Sequence, residues 1–152
     1  MSFLNGTYYC KMDAKGRIML PVELRKQLSD LKMDQFILKR AVFENNLEMH
    51  PTAEWEKLMA KLNKLNRFKK KNVVFLTRFL AGVRNVNIDA TGRLQIPKDL
   101  VNILGLKKEV VIASAINILQ IWDKDTYEKF LEDSVDNFSD LAEDVMGDLD
   151  DE

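Results

Sequence analysis

Cysteine and histidine are almost absent from this sequence of 152 residues, which contains only Cys10 and His50. A single cysteine cannot form a disulfide within the chain, and this fits a reducing compartment such as the cytoplasm. One cysteine and one histidine are also too few for a structural zinc site in one chain. We therefore expect no metal and no cofactor.

Long apolar runs and catalytic motifs are also missing. A membrane-spanning helix needs about 20 apolar residues in a row, whereas the longest candidate, 110–122, is shorter and contains Ser114, Asn117 and Gln120. The N-terminus lacks the basic start and apolar stretch of a signal peptide. The sequence contains no phosphate-binding loop, dinucleotide fingerprint, zinc-protease motif or nucleophile elbow. We expect that the protein is not an enzyme, and that it has no small-molecule substrate and no membrane partner.

Basic residues are missing from the last part of the chain. Residues 131–152 contain ten acidic residues and no Lys or Arg. The other 130 residues therefore hold fourteen of the 24 acidic side chains and all 23 basic ones, a net charge of +9. A basic body with an acidic tail is one pattern of nucleic-acid-binding proteins, although soluble proteins of other kinds also have such tails.

The chain contains an internal repeat at an offset of 76 residues. Residues 3–24 match residues 79–100, and nine of these 22 positions are identical. Most of the other positions exchange apolar for apolar or polar for polar residues. The sequence therefore encodes two copies of one module.

Each copy of the repeat contains the segment Asp-Ala-x-Gly, at 13–16 and 89–92. This segment is typical of a type I turn, because Asp accepts backbone N–H bonds at the first position and Gly at the last tolerates a positive φ. The flanking residues alternate between apolar and polar, as in β-strands. We expect each copy to open with a β-hairpin, with Asp13, Gly16, Asp89 and Gly92 as the turn-forming residues.

A proline follows each of these hairpins, at Pro21 and Pro97. Proline ends a strand because it has no N–H, and it suits the first turn of a helix. A short helix and further apolar runs at 35–42 and 109–121 follow, so each copy is a ββαββ module. The sequence thus predicts an α+β, β-rich fold with tandem duplicated modules.

Apolar residues at helical spacing follow each module. The last residues have too little apolar surface to repay the entropy of ordering, and we expect them to be disordered. The predicted organisation is a first module at 1–52, linking helices at 53–78, a second module at 79–123, a C-terminal helix at 124–138 and an acidic, disordered tail at 139–152.

Both turns belong to an Asp-x-x-x-Arg motif that is followed by an apolar residue and a proline. Two such motifs at this spacing resemble the MraZ family over roughly residues 1–130, through Asp13, Arg17, Ile18 and Pro21 in the first copy and Asp89, Arg93, Leu94 and Pro97 in the second. The resemblance implies a SpoVT/AbrB-like swapped-hairpin barrel. Its two units would interleave within one chain as a pseudo-dimer with flanking helices.

The resemblance also implies a function. Proteins of this family are sequence-specific transcriptional regulators of the division and cell-wall gene cluster, and they bind short repeats upstream of it. We interpret the protein as a repressor of this gene cluster that also binds its own promoter. The implied partners are double-stranded DNA and further copies of the chain in a homo-oligomeric ring, in the cytoplasm and at the nucleoid.

The hairpins provide a hypothesis for DNA contact, because two-stranded ribbons fit the major groove. Arg17 and Arg93 can pair bidentately with guanine or phosphate. Residues at the tips and on the strands that enter them add candidate contacts, namely Lys15, Thr91, Lys11 and Arg84. Alternatively, Asp13 with Arg17 and Asp89 with Arg93 are salt bridges that merely close the turns.

A different class of function is also compatible with the sequence. The protein could be an antitoxin-like or other interaction module whose acidic tail binds a partner. The duplicated module argues against this alternative, because antitoxins of the same broad fold usually carry one copy.

Overall fold

The computed structural model of the chain describes residues 3–134 and 136–150, with the side chain of residue 150 left out. The first module contains β1 (Thr7–Lys11), β2 (Arg17–Met19), α1 (Val22–Asp30), β3 (Gln35–Arg40) and β4 (Leu47–Pro51), followed by α2 (Thr52–Leu62) and α3 (Lys70–Leu80). The second module repeats this order with β5 (Arg84–Asn87), β6 (Arg93–Gln95), α4 (Lys98–Leu104), β7 (Glu109–Ala115) and β8 (Ile118–Asp123), followed by α5 (Lys124–Asp133) and α6 (Phe138–Asp150). The duplicated ββαββ order is confirmed.

Prolines and a glycine set the bounds of the short helices. Pro21 and Pro97 lie immediately before α1 and α4, each with the φ near −60° that the proline ring imposes. Gly105 ends α4 in the left-handed conformation, with φ of 66°. These local signals place each short helix directly after the second strand of its module.

The first strand of each module pairs with the third strand of the other module. β1 runs antiparallel to β7, and β5 runs antiparallel to β3. The modules also meet where β4 pairs with β8, so the six-stranded sheet has the order β1-β7-β8-β4-β3-β5. This exchange is the interleaved pseudo-dimer that the resemblance implies.

The second strands of the two modules form a separate antiparallel ribbon, β2 with β6, which we call the β2–β6 ribbon. Ile18 lies opposite Leu94 at its centre. The ribbon is extended at both ends by backbone bonds between modules, from Leu20 N–H to the Gly92 oxygen (3.0 Å) and from Ile96 N–H to the Gly16 oxygen (2.9 Å). Each turn is thus held by the strand end of the other module.

This pairing corrects the expectation of two complete hairpins. In the described part of the chain, the arms of the first hairpin are joined only beside the turn, by the Asp13 N–H bond to the Arg17 oxygen (2.9 Å) and the bridge between Met12 and Ile18. Beyond that point β1 joins the large sheet and β2 joins β6. The arms separate because the apolar inner faces of both pack into one shared core.

One apolar core lies between the ribbon, the short helices and the large sheet. The inward residues expected from the alternation are buried, namely Ile18, Leu20, Leu94 and Ile96. They pack with Leu24, Leu28, Leu100 and Leu104 of the helices and with Phe36, Leu38, Met49 and Leu119 of the sheet. Each such side chain stabilises the fold by about 1.5–3 kcal/mol, so the ribbon is anchored from within.

Helices α2 and α5 pack on the large sheet. α2 brings Trp55 to 5.2 Å from His50, and α5 brings Tyr127 to 5.6 Å from Trp122, measured between ring centroids. Pro51 is the N-cap of α2, and the Thr52 hydroxyl donates to the Gln35 carbonyl oxygen (3.0 Å). No described helix is long and apolar enough to cross a membrane.

The structure corrects the expectation of disorder at 139–152. Residues 138–150 form helix α6, while residues 151 and 152 lie outside the described residues. Apolar side chains at helical spacing give this helix one apolar face, formed by Phe138, Leu141, Val145, Met146 and Leu149. All five are at least half exposed. The acidic segment is therefore an amphipathic helix that corresponds in order to α3 of the first copy.

Candidate nucleic-acid interface

The β2–β6 ribbon presents four outward side chains on one surface. Arg17 lies opposite Gln95, and Met19 lies opposite Arg93. Both arginines are therefore on the same face as diagonal neighbours, with Cα atoms about 7–8 Å apart by ordinary strand geometry. The two motifs that the sequence places 76 residues apart thus form one composite surface.

The turns at the ends of this ribbon have the predicted geometry. Asp13 Oδ1 accepts the backbone N–H groups of Lys15 and Arg17, each at 2.9 Å. Asp89 Oδ1 accepts those of Thr91 and Arg93 at the same distances. Each aspartate thus bridges its turn, and these bonds hold the backbone of each arginine in place.

The last position of each turn requires glycine for two reasons. Gly16 and Gly92 have φ of 79° and 85°, which disfavours a residue with a side chain. A Cβ atom on Gly16 would lie 2.9 Å from the Ile96 oxygen, and one on Gly92 would lie 2.5 Å from Arg25 Cδ. The glycines therefore allow the close approach of the other module as well as the turn itself.

The aspartates also orient the arginine side chains. Arg17 Nε donates to Asp13 Oδ2 at 2.7 Å, and Arg93 Nε is 3.3 Å from Asp89 Oδ2. Both arginine side chains are 33% exposed. Within the described residues, neither guanidinium donates to protein through its Nη groups. Each carboxylate therefore contacts one edge of its guanidinium, and the Nη groups keep their hydrogen-bonding capacity.

The two turns differ at their third position. Thr91 Oγ1 donates to Asp89 Oδ1 at 2.7 Å and accepts from Arg93 Nε at 3.0 Å, so Thr91 belongs to the turn. Lys15 has no such role: its side chain is exposed at the other turn. The two tips therefore differ chemically, with an ammonium at one end of the ribbon and a hydroxyl at the other.

The two residues predicted on the entering strands lie in different surroundings. Lys11 is exposed at the end of β1, opposite Glu109 of β7. Arg84 Nη2 pairs with Asp99 Oδ2 of α4 at 2.7 Å, and its Nη1 donates to the Gly82 oxygen at 3.2 Å. The Arg84 guanidinium is thus bound to protein groups. Contact between Lys11 and phosphate stays a prediction.

Three residues of this surface are not among the sequence-based candidates. Gln95 lies opposite Arg17, and its amide Nε2 donates to the Lys15 carbonyl oxygen of the other module. Met19 is half exposed opposite Arg93. Arg25 of α1 lies against the Gly92 turn and donates through Nε to the Leu20 oxygen at 3.0 Å. The outward phase of the alternation could have identified Gln95 and Met19, whereas nothing local indicates the approach of Arg25.

The carboxylates of the turns stay ionised at neutral pH. The backbone N–H of Arg93, and then the Thr91 hydroxyl, lower the pKa of Asp89 to about 2. The backbone N–H of Arg17 likewise lowers the pKa of Asp13 below its usual value. The positions of the two arginines are therefore independent of pH in the neutral range.

Comparisons with known proteins are consistent along the whole chain. The family described as "MraZ protein, putative antitoxin-like" matches twice, at residues 3–78 and 79–149, so its match also includes α6. The chain is similar to proteins named transcriptional regulator MraZ from three bacteria. It is 60% identical to that of Christiangramia forsetii over 95% of this chain and 93% of the relative.

The second relative, from Flavobacterium psychrophilum, is 55% identical over 100% of this chain and 97% of its own length. The third, from Cytophaga hutchinsonii, is 36% identical over 94% of each. Two matches of the family model and relatives of this identity leave no other assignment: the chain belongs to the MraZ family.

Proposed function

We propose that this protein is a transcriptional regulator that binds double-stranded DNA through the β2–β6 ribbon. The observation that carries the proposal is the placement of Arg17 and Arg93 on one outward face, each held through Nε by its turn aspartate. Its relatives are named transcriptional regulators. This naming supports a binding protein rather than an enzyme.

The dimensions of the ribbon fit the major groove of B-DNA. Two strands lie about 4.8 Å apart, and a groove about 12 Å wide admits a two-stranded ribbon. Free Nη groups can donate to the O6 and N7 acceptors of guanine or to phosphate oxygens. On the same face, the exposed Met19 can contact a thymine methyl.

The pairing of β2 with β6 sets how many DNA-reading surfaces one chain provides. Since both arginines lie on one ribbon, a chain has one reading surface and not two independent tips. Binding of repeated sites then needs several chains, whose linkage raises the effective affinity. This supports a homo-oligomer, and the family resemblance implies that the oligomer is a ring.

The genes that the protein regulates are inferred from its resemblance to the MraZ family. We propose that the protein represses the division and cell-wall gene cluster, including its own promoter, by binding short repeats upstream of it. It would then act in the cytoplasm at the nucleoid. The net charge of +9 outside residues 131–152 supports association with a polyanion.

Replacement of both arginines tests the function directly. The variant R17A R93A is expected to bind the DNA upstream of its own gene at least about 30-fold more weakly, because each of the two bidentate contacts with a base contributes about 1–3 kcal/mol. Binding is measured by electrophoretic mobility shift, and the fold is checked by circular dichroism. The control K64A R67A removes the same charge from the segment between α2 and α3.

The outcome decides whether the β2–β6 ribbon binds DNA. Weak binding by R17A R93A with the control unchanged supports the proposal. Equal binding by both variants and the unsubstituted protein would remove the ribbon from DNA recognition.

An antitoxin-like interaction module is the alternative function. The exposed acidic and apolar surface of α6 favours it, and so does the description of the family. In that case removal of residues 138–152 would abolish regulation in cells, while R17A R93A would leave it intact. The opposite pattern supports the DNA-binding function.

A further inference from the structure

A buried lysine lies outside the β2–β6 ribbon, in β3 of the large sheet. Lys39 is only 2% exposed. Its Nζ lies 4.1 Å from the centroid of the Phe79 ring of α3 and donates to the Arg40 carbonyl oxygen. The ammonium thus lies over the Phe79 ring and donates one of its three N–H groups to protein. Its other N–H groups can donate to a bound anion.

The ammonium has no carboxylate in direct contact. In the part of the chain that the structure describes, no Asp or Glu oxygen lies within 4.0 Å of Lys39 Nζ. Glu48 lies opposite Lys39 in the β3–β4 pair, but its Oε1 is 3.0 Å from His50 Nε2. Burial accordingly lowers the pKa of Lys39, and Glu48 only offsets this in part. A buried charge without a close counter-ion lowers the stability of the folded protein, and this suggests that Lys39 has a role in binding.

The second module shows that the fold does not need this charge. In the repeat, Ala113 of β7 takes the place of Lys39, and Gln120 of β8 takes the place of Glu48. Ala113 is also buried, and β7 and β8 pair as β3 and β4 do. The lysine therefore contributes something that the duplicated architecture does without.

Lys39 lies in a cleft of about 600 Å³ between β3 and α3. The lining combines three basic side chains with an apolar wall, through Lys39, Arg40, Arg78, Val42, Phe75 and Phe79. Among the described residues, neither arginine is in an ion pair, and no acidic residue lines the cleft. Phe75 and Phe79 lie with ring centroids 5.2 Å apart.

We propose that this cleft is a binding site for a small organic anion with an aromatic or aliphatic body. The negative group, a phosphate or carboxylate, meets Lys39 Nζ and the guanidiniums of Arg40 and Arg78. The apolar body packs on Phe75, Phe79 and Val42. Lys39 and Arg40 come from β3, whereas Arg78 lies on α3 with the two phenyl rings. This set of three cations and two rings selects the combination, because a purely apolar ligand would leave the ammonium uncompensated.

The full chain can be titrated with 8-anilinonaphthalene-1-sulfonate, an anionic aromatic probe whose fluorescence rises on binding. We expect K39A and R78A each to weaken binding at the tightest site by about ten-fold or more, as for a lost hydrogen bond to a charged group. K39A reproduces the alanine of the second module and should fold, and Arg78 is exposed. The control K71A removes a charge from the same helix outside the cleft.

Competition for the probe identifies the source of the anion. Phenyl phosphate is expected to displace the dye from the unsubstituted protein, and to do so poorly from K39A. Dye binding of equal strength in K39A, R78A and the unsubstituted protein would overturn the site. Displacement by a peptide of residues 138–150 at lower concentration than phenyl phosphate would overturn the assignment to a small molecule, because the anion would then come from α6 of another copy.

Discussion

Single residues of the two turns combine structural and recognition roles. One oxygen of Asp89 accepts two backbone N–H groups, while the other contacts the Arg93 guanidinium. Asp13 does the same for Arg17. The alternatives of a closed salt bridge and a free DNA-binding arginine are therefore compatible, since the carboxylate contacts Nε and leaves the Nη groups. The sequence shows the pair but not which guanidinium edge the carboxylate takes.

Replacement of Asp89 by alanine should lower stability in a pH-dependent way. The pKa of Asp89 is about 2 in the folded protein, below the roughly 3.8–3.9 of an unfolded chain. Its contribution is thus present above about pH 4 and is lost as pH falls toward 2. Urea midpoints of D89A and the unsubstituted protein should differ at pH 7 and converge below pH 4. A difference that stays constant down to pH 2.5 contradicts this account.

At the scale of elements, the structure of α6 could not be predicted from composition alone. Ten acidic residues and no basic one indicate a solvated tail, and that expectation was wrong for residues 139–150. The apolar residues within the same segment recur at helical spacing, which favours a helix despite the charge. The match of the family to residues 79–149 likewise includes this helix.

The acidic face of α6 should weaken association with DNA, because its carboxylates compete with phosphate for the basic body. Deletion of residues 138–152 is expected to strengthen DNA binding, most at low salt where screening is weakest. Affinity is measured between 50 and 200 mM salt, roughly the range over which counterion release dominates. A variant with Asp140, Glu143, Asp144 and Asp148 changed to their amides keeps the helix and should behave alike. An unchanged salt slope in both variants would disprove the competition.

At the scale of the whole molecule, the two modules form one folding unit. β1 lacks a partner in its own module and pairs with β7, and β5 depends on β3 in the same way. The β2–β6 ribbon also needs both halves. Duplication in the sequence therefore does not mean two independent domains.

Division of the chain between Ala81 and Gly82 tests this dependence. We expect residues 1–81 and 82–152, produced separately, to be unfolded or self-associated, since each half exposes unpaired strand edges. Mixed together, they should form a one-to-one complex with the circular dichroism of the full chain. A half that sediments as a folded monomer with a cooperative thermal transition would contradict the interleaved fold.

Local properties of the sequence determined the module order, the two turns and the outward direction of Arg17 and Arg93. These follow from turn chemistry and from the two-residue period of a strand, which act within a few residues. Only the tertiary structure decided which strands pair, that both arginines share one ribbon, and that Lys39 is buried beneath Phe79. Strands with equivalent apolar faces can pair within or between modules, and only the joint packing of one core selects between them.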